Sequence, residues 1–583
     1  MAHIVESSGY LVLSNTSGDT TAIKDVGGIW DSSNYQWIIA FTMWNLNQLR
    51  KNLTDITYGE GFEEAEKAQI EKESKLDHIR KISKSDSPVN LKVPNLKLNL
   101  RNYQKLGVMF ATTNGCGALI ADEMGLGKTV QALATAIFRK HTEGIDSCLI
   151  ITPASLKYNW PLEIEKFTHE KCVVIGGTPD QRAAQWLRDD VFFYVVNFEL
   201  ITQDLFGGVD LKPKRGETAK QRVARETRTA KNQRRARILG PVRTKDWGMI
   251  AIDEVHMLKN PRSKRTKNIK RLHSEFKVGL SGTPLDGKLE ELNSVMSIIR
   301  PGLLESYGRF VQRYAITDFW GNIKSYKNIK EVNERISPYF IRRLKSDVLK
   351  DLPPKIYENR IVELSPEERK IYKAIAKGGH SATEDQEAIV AAIRCKQFCD
   401  FPGLVDSNCK SHSKLDALRE ILEEVIQQNG HKVILFSFYK MMLDAIEGEL
   451  LEDMGLKYMR IDGDVPTSER ADMQKEFNEN PNIDIIIGTE SMSTGLNFTG
   501  ANYVINYDDN WQPAIMAQRE DRAHRIGQKS TVTVVNFICK DTIEERIRDV
   551  LYDKRDISSQ ALGDDFDEMI LKRLGPKDVA KLL

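Results

Sequence analysis

Short apolar runs recur along the chain, each bounded by turn residues and followed by a longer stretch whose apolar residues return every three or four positions. Between Leu100 and about Gly282 the runs are CLIIT (148–152), FFYVVN (192–197), GMIAID (248–253) and VGLSG (278–282). A run that is apolar at every position suits a strand covered on both faces, as in a parallel sheet flanked by helices. A second series follows after about residue 411: KVILFSF (432–438), YMRIDG (458–463), IDIIIGT (483–489), NYVINYD (502–508) and VTVVNFI (532–538). The pattern predicts an α/β chain with two lobes in tandem, 95–289 and 411–545. Between them, over 290–410, no strand series is evident, and the Glu- and Lys-rich patterns around 331–350 and 366–400 predict helical insertions and a linker.

The ends read differently. Residues 1–60 mix turn residues with YLVLS and YQWIIAFTMW and predict a small domain of their own. Residues 61–94 read as a charged helix and a linker containing Ser87-Pro88, and residues 546–583 as a helical extension.

Composition narrows the class. The 583 residues are too many for one core and suggest roughly three or four units. Apolar residues at 41% and charged residues at 28% are values of a globular protein. No apolar run is long enough to span a membrane and no leader pattern opens the chain, so an intracellular protein is expected, cytoplasmic in a bacterial or phage-infected cell or nuclear in a eukaryote. Seven scattered cysteines fit reduced thiols better than a disulfide framework.

The stretch ADEMGLGKT (121–129) nearly spells the phosphate-binding loop G-x-x-x-x-G-K-[ST], with Asp122 where the first glycine should stand. It follows GALIAD, a plausible strand, and precedes VQALATAIFRK, a plausible helix. In such a loop, backbone N–H groups and a helix N-terminus cradle the phosphates, Lys128 reaches the β- and γ-phosphates, and the Thr129 hydroxyl holds Mg²⁺. Met124, Gly125, Gly127, Lys128 and Thr129 are the expected nucleotide-binding set. About 125 residues on, MIAIDEVH (249–256) places Asp253 and Glu254 at the end of an apolar strand. There Asp253 can anchor Mg²⁺ while Glu254 orients and deprotonates the attacking water. Together the two motifs predict an ATP- and Mg²⁺-dependent NTPase.

With DEVH as a DEAD/DEAH-type box and SGTP (281–284), the sequence resembles superfamily II helicases. LRNYQKLGV (100–108), GTPLDGKLEEL (282–292), IRRLKSDVLKDLPPK (341–355), IDGDVPTSERADMQKEF (461–477) and AQREDRAHRIGQK (517–529) narrow the resemblance to Swi/Snf-type ATPases over roughly residues 95–550. The resemblance implies two RecA-like lobes that close on ATP, Gln104 as the adenine contact, and Arg522 and Arg525 acting on the γ-phosphate, with Gln518 completing their motif. It implies a DNA-dependent ATPase that works as a monomer, with Thr152, Lys157 and Thr489 as phosphate-backbone contacts on DNA. GTESMSTGLNF (488–498) departs from many remodellers, lacking their paired glycines and carrying Glu490 where a basic residue is common. These departures are closer to the annealing-helicase, fork-remodelling branch, whose small accessory domains residues 27–53 faintly resemble; exposed Trp37 or Trp44 would then stack at a fork.

The expected activity is thus translocation on duplex DNA that remodels branched structures or strips bound proteins. Two alternatives stand beside it. A motor of this kind can act on a complex such as stalled RNA polymerase or a nucleosome. A non-catalytic DNA-binding scaffold is disfavoured because Lys128, Thr129, Asp253, Glu254, Arg522 and Arg525 are all present.

Two further features carry open readings. Residues 212–245 hold 13 Lys or Arg against Glu217 and Glu226, suiting either a segment that orders on phosphates or a solvated loop. Cys395, Cys399, Cys409 and His412 have a spacing that can in principle hold zinc, against the reading that these thiols are packing.

Overall fold

A computed structural model of the chain describes residues 2–548 apart from 17–19, 86, 207–221, 223–225, 228, 231–232, 234–235, 283–287, 381–384, 494, 511–512 and 526. Its chain divides into two units, Met1–Lys350 and Asp351–Leu583. Most of the basic insertion and nearly all of the expected C-terminal extension lie outside the described residues.

The first unit begins with β1 (Ala2–Ser7), β2 (Tyr10–Ser14), β3 (Ile29–Asp31), β4 (Gln36–Ala40) and β5 (Ile56–Tyr58), in the sheet order β3-β4-β2-β1-β5. Burial alternates along β2, the period of a strand with one covered face. The covered side holds Ile4, Leu11, Leu13, Trp37, Ile39, Leu46 and Leu49. Trp37 is therefore a core residue, 6% exposed, and half-buried Trp44 lies under the Arg335 guanidinium at 4.0 Å. Both rings are committed to packing. The helix Phe62–Ile82 follows, with Glu63 and Glu64 in its first turn and Arg80 and Lys81 in its last, the arrangement the helix dipole favours.

The second sheet of this unit has seven strands: β6 (Gly117–Ile120), β7 (Cys148–Thr152), β8 (Cys172–Val174), β9 (Phe193–Asn197), β10 (Met249–Ile252), β11 (Lys277–Leu280) and, after a hairpin of β12 (Ala315–Thr317) and β13 (Ile323–Tyr326), β14 (Phe340–Ile341). All seven pair in parallel, in the order β14-β6-β11-β10-β7-β9-β8. Every residue of β6, β7, β9, β10 and β11 is buried, the setting that near-continuous apolar runs require, with Lys277 at the start of β11 the one charged residue among them.

In the second unit β15 (Lys355–Val362), β16 (Val433–Phe436), β17 (Tyr458–Ile461), β18 (Ile485–Gly488), β19 (Tyr503–Asn506) and β20 (Val532–Cys539) form a parallel sheet ordered β15-β20-β19-β16-β18-β17. The stretch 290–410, expected to be helical, thus supplies four strands. β14 has only two residues, and β15 is an edge strand exposed along most of its length, so neither carries the continuous apolar signal.

Candidate nucleotide site

Parallel pairing brings the carboxyl ends of neighbouring strands to one edge of a sheet, where α/β folds bind their ligands. Here β6 runs into ADEMGLGKT, its neighbour β11 into Ser281-Gly282, and β10 into Asp253-Glu254. Three motifs far apart in sequence therefore meet along one short edge.

The loop itself is held in a left-handed turn at Gly125 (φ +85°) and Gly127 (φ +77°), a conformation other residues adopt at a cost. Gly127 caps the helix Lys128–Glu143, whose first turn faces the loop with its backbone N–H groups. Lys128 Nζ donates to the carbonyl oxygen of Asp122 at 2.8 Å, which folds the side chain over the loop. Met124 is buried and packs against Gly282, where a Cβ would come within 2.6 Å of its Cγ. Gln104 accepts from the Arg101 N–H at 3.0 Å and donates to the Leu126 carbonyl at 3.2 Å, so its amide braces the loop.

Asp122, in place of the usual glycine, is fully buried. It accepts from Arg343 Nε at 2.8 Å and from Gln131 Nε2 at 2.9 Å, and it closes a second contact with Arg343 Nη2. Arg343 also donates to Gln131 Oε1 at 2.7 Å and to the Tyr103 carbonyl, leaving neither charge of the pair exposed. Backbone bonds from Ala121 to Ile341 and from Glu123 to Arg343 extend the tie along β14. Asp122 thus gives up the backbone freedom of a glycine for an ion pair between the loop and the segment that follows β14.

Asp253 accepts from Trp160 Nε1 (3.0 Å), Thr152 Oγ1 (3.3 Å) and the Glu254 N–H (3.0 Å). Burial and the adjacent Glu254 carboxylate push its pKa up to about 6. Such a carboxylate gains from a dication beside it. Together with the Thr129 hydroxyl it offers the hard oxygen donors that Mg²⁺ prefers, so the donor set fits that ion. Glu254 adopts a left-handed backbone (φ 47°, ψ 51°), strained for a residue with a Cβ. His256 Nδ1 lies 3.2 Å from Glu254 Oε2 and 3.1 Å from Ser281 Oγ, bridging the β10 and β11 motifs. His256 and Ser281 sit inside quoted motifs, as does Arg343 in IRRLKSDVLKDLPPK, but the motif gave no sign that Arg343 pairs with Asp122.

Thr152 is fully buried beneath the Asp253 carboxylate. Lys157, 8% exposed, donates to the Ile175 carbonyl at 3.3 Å. In the second unit Arg522 donates to the Leu496 carbonyl at 2.8 Å and to the Gln518 carbonyl at 3.1 Å, and Arg525 bonds Asn497 Oδ1. The departing segment 488–498 thus scaffolds both arginines. Glu490, the misfit acid, is a counter-ion of buried Arg519, with an Nε to Oε1 distance of 2.9 Å. Thr489 shares a hydrogen bond with Ser491 Oγ at 3.0 Å.

The four residues of the zinc reading do not converge. Among the described residues, the one group of ligand atoms close enough to hold a metal is Cys399, Cys539 and Glu544. Its carboxylate is already engaged by Lys414 Nζ and, at 2.8 Å, by the Cys539 N–H. His412 Nδ1 instead lies 3.3 Å from Glu449.

The sequence model of the SNF2-related domain matches residues 62–412, and that of the helicase conserved C-terminal domain matches 413–527. An ATP-dependent helicase of Mycoplasma pneumoniae is 30% identical over 504 residues, covering 84% of this chain and 45% of that protein. The mouse DNA annealing helicase and endonuclease ZRANB3 is 27% identical over 490 residues, covering 80% of this chain and 41% of that protein. The chain thus spans less than half the length of either relative. The solved Sulfolobus solfataricus SWI2/SNF2 ATPase core in complex with dsDNA is 28% identical, covers 82% of this chain and 96% of that one, and has a TM-score of 0.39. Among the described residues, no helix is long and apolar enough to cross a membrane.

Proposed function

Because the chain belongs to the SNF2-related family of ATP-dependent, helicase-like enzymes, we propose that it is a DNA-dependent ATPase that moves along duplex DNA and remodels branched structures. The observation that carries the ATPase part is the convergence of Lys128, Asp253, Glu254 and the His256–Ser281 bridge on one sheet edge.

In this reading Lys128, released from the Asp122 carbonyl, bonds the β- and γ-phosphates of ATP. Asp253 and Thr129 would hold Mg²⁺, which when bound neutralises phosphate charge. Glu254 orients the attacking water and takes its proton, and His256 keeps that carboxylate in place. A change at the γ-phosphate that moves Glu254 is passed through His256 to Ser281, the first residue of the next motif. Thr152 acts on the metal ligand from below, leaving Lys157, released from the Ile175 carbonyl, and Thr489 as the candidate phosphate-backbone contacts on DNA. Arg522 and Arg525, held by the 488–498 segment, are the candidates for stabilising charge during phosphoryl transfer. Gln104 serves the adenine end of the nucleotide, next to the loop it braces.

ATP turnover of the purified chain, measured without DNA and with duplex or forked DNA, tests the proposal. The expected result is strong stimulation by DNA, lost by at least about a thousandfold in Lys128→Ala and Glu254→Gln. Equal turnover with and without DNA would sink it.

A further inference from the structure

The most exposed large apolar side chains among the described residues are Phe319 (94%) and Trp320 (82%), adjacent at the tip of the β12–β13 hairpin. Such rings are expensive to leave in water, and in this fold nothing requires them there. The hairpin is firmly rooted. Ala315 and Tyr326 are buried at its base and Ile323 beside the turn, Tyr326 bonds Glu290, and the Lys327 N–H donates to the Tyr314 carbonyl at 2.9 Å.

The turn is equally fixed. Asp318 Oδ1 accepts from the N–H groups of Trp320 (3.0 Å) and Asn322 (2.8 Å), and Gly321 takes φ +82°. The two rings stand nearly perpendicular, at 87° with centroids 5.4 Å apart. Lys324, Lys327 and Lys330 follow on the returning strand and just beyond it. The nearby acids are engaged: Asp318 holds the turn and lies 3.6 Å from Lys324, and Glu331 pairs with Arg313 at 2.6 Å.

We propose that this hairpin tip is a second DNA contact, one that stacks Phe319 and Trp320 on unpaired or splayed bases at a branch point. The inference rests on the DNA reading above and adds a site to it. A projecting tip with two flat rings suits insertion at a base step, whereas a protein ligand groove is concave. Any base offers a π face, so the contact needs no sequence preference, and the lysines behind the tip match the phosphates flanking a splayed base. A turn already fixed by Asp318 loses little freedom on binding.

Binding and ATP turnover of Phe319→Ala/Trp320→Ala and of the conservative Trp320→Phe test this, with a blunt duplex and a fork of equal length carrying single-stranded arms. The double variant is expected to bind the fork at least about fivefold more weakly. It should keep duplex affinity and duplex-stimulated turnover within about twofold, which also shows that it folds. Trp320→Phe should retain fork affinity but lose the tryptophan quenching seen with the fork and not the duplex. Unchanged fork affinity, or equal weakening on fork and duplex, overturns the stacking site while leaving duplex stimulation intact. Loss only of binding to a protein, with fork affinity unchanged, also overturns it. Absence of DNA stimulation in the parent chain is a separate result that fails the translocase reading itself.

Discussion

Position 122 shows what a single residue can carry. A glycine there would restore the common loop sequence yet leave Arg343 buried with Gln131 and a carbonyl but no counter-charge. Removing one partner of a buried ion pair usually costs roughly 3–5 kcal/mol. Asp122→Gly should therefore lower unfolding stability by about that much, while Asp122→Gly/Arg343→Met should recover most of the loss, both read from urea denaturation. Equal losses in the two variants would mean that the charge pairing is not what matters. Arg343 is 221 residues away from Asp122, and nothing in either local sequence announces the pairing. That the Lys128 loop and the Asp253–Glu254 pair meet at one sheet edge was legible for the opposite reason: each lies in a short motif whose neighbours stand within a few positions. Glu490 read as an anomaly until its partner Arg519 was visible, because a counter-ion is a fact of space rather than of spacing.

Among the elements, legibility followed burial. The interior strands β6, β7, β9, β10, β11, β16, β18, β19 and β20 announce themselves because both faces are covered. β15 was missed because an edge strand that mixes exposed Ile356, Tyr357 and Ile361 with Glu358 and Asn359 shows neither a continuous apolar run nor a clean alternation. β11 holds a further exception, Lys277, buried at the start of an interior strand. Burial lowers its pKa from 10.5 to about 8, against a smaller opposing pull from Asp246. The sign follows from proton binding. Between pH 8 and 10.5 the unfolded chain holds the Lys277 proton and the folded chain does not, so this residue's contribution to stability is complete above 10.5. It is lost as pH falls through 8. Lys277→Met should thus stabilise the protein by on the order of 3 kcal/mol at neutral pH and by under about 1 kcal/mol near pH 10. Thermal or urea unfolding at the two pH values checks this, and a gain independent of pH would contradict it.

Over the whole first unit, the N-terminal sheet is bolted to the larger sheet by buried arginines. Arg335 donates to the Val26 carbonyl (3.3 Å) and the Leu303 carbonyl (3.0 Å) and pairs with Glu305, while Arg300 bonds the Gly9 carbonyl and lies 3.9 Å from the Tyr10 ring. Arg335→Ala leaves the buried Glu305 carboxylate with only the half-buried Arg313, 3.4 Å away, and uncovers one face of Trp44, so on the order of 3 kcal/mol should be lost. The N-terminal sheet should then become the first part to yield to limited proteolysis; protection equal to the parent's would show that the bolt is dispensable. The left-handed backbone of Glu254 has a consequence of another kind. Asparagine accepts that conformation more readily and would remove the like charge beside Asp253, so Glu254→Asn should melt later, by on the order of 1 kcal/mol, while hydrolysing nothing. Heat challenge of a random library would then enrich dead proteins at position 254, which makes endurance a misleading guide to fitness for this enzyme.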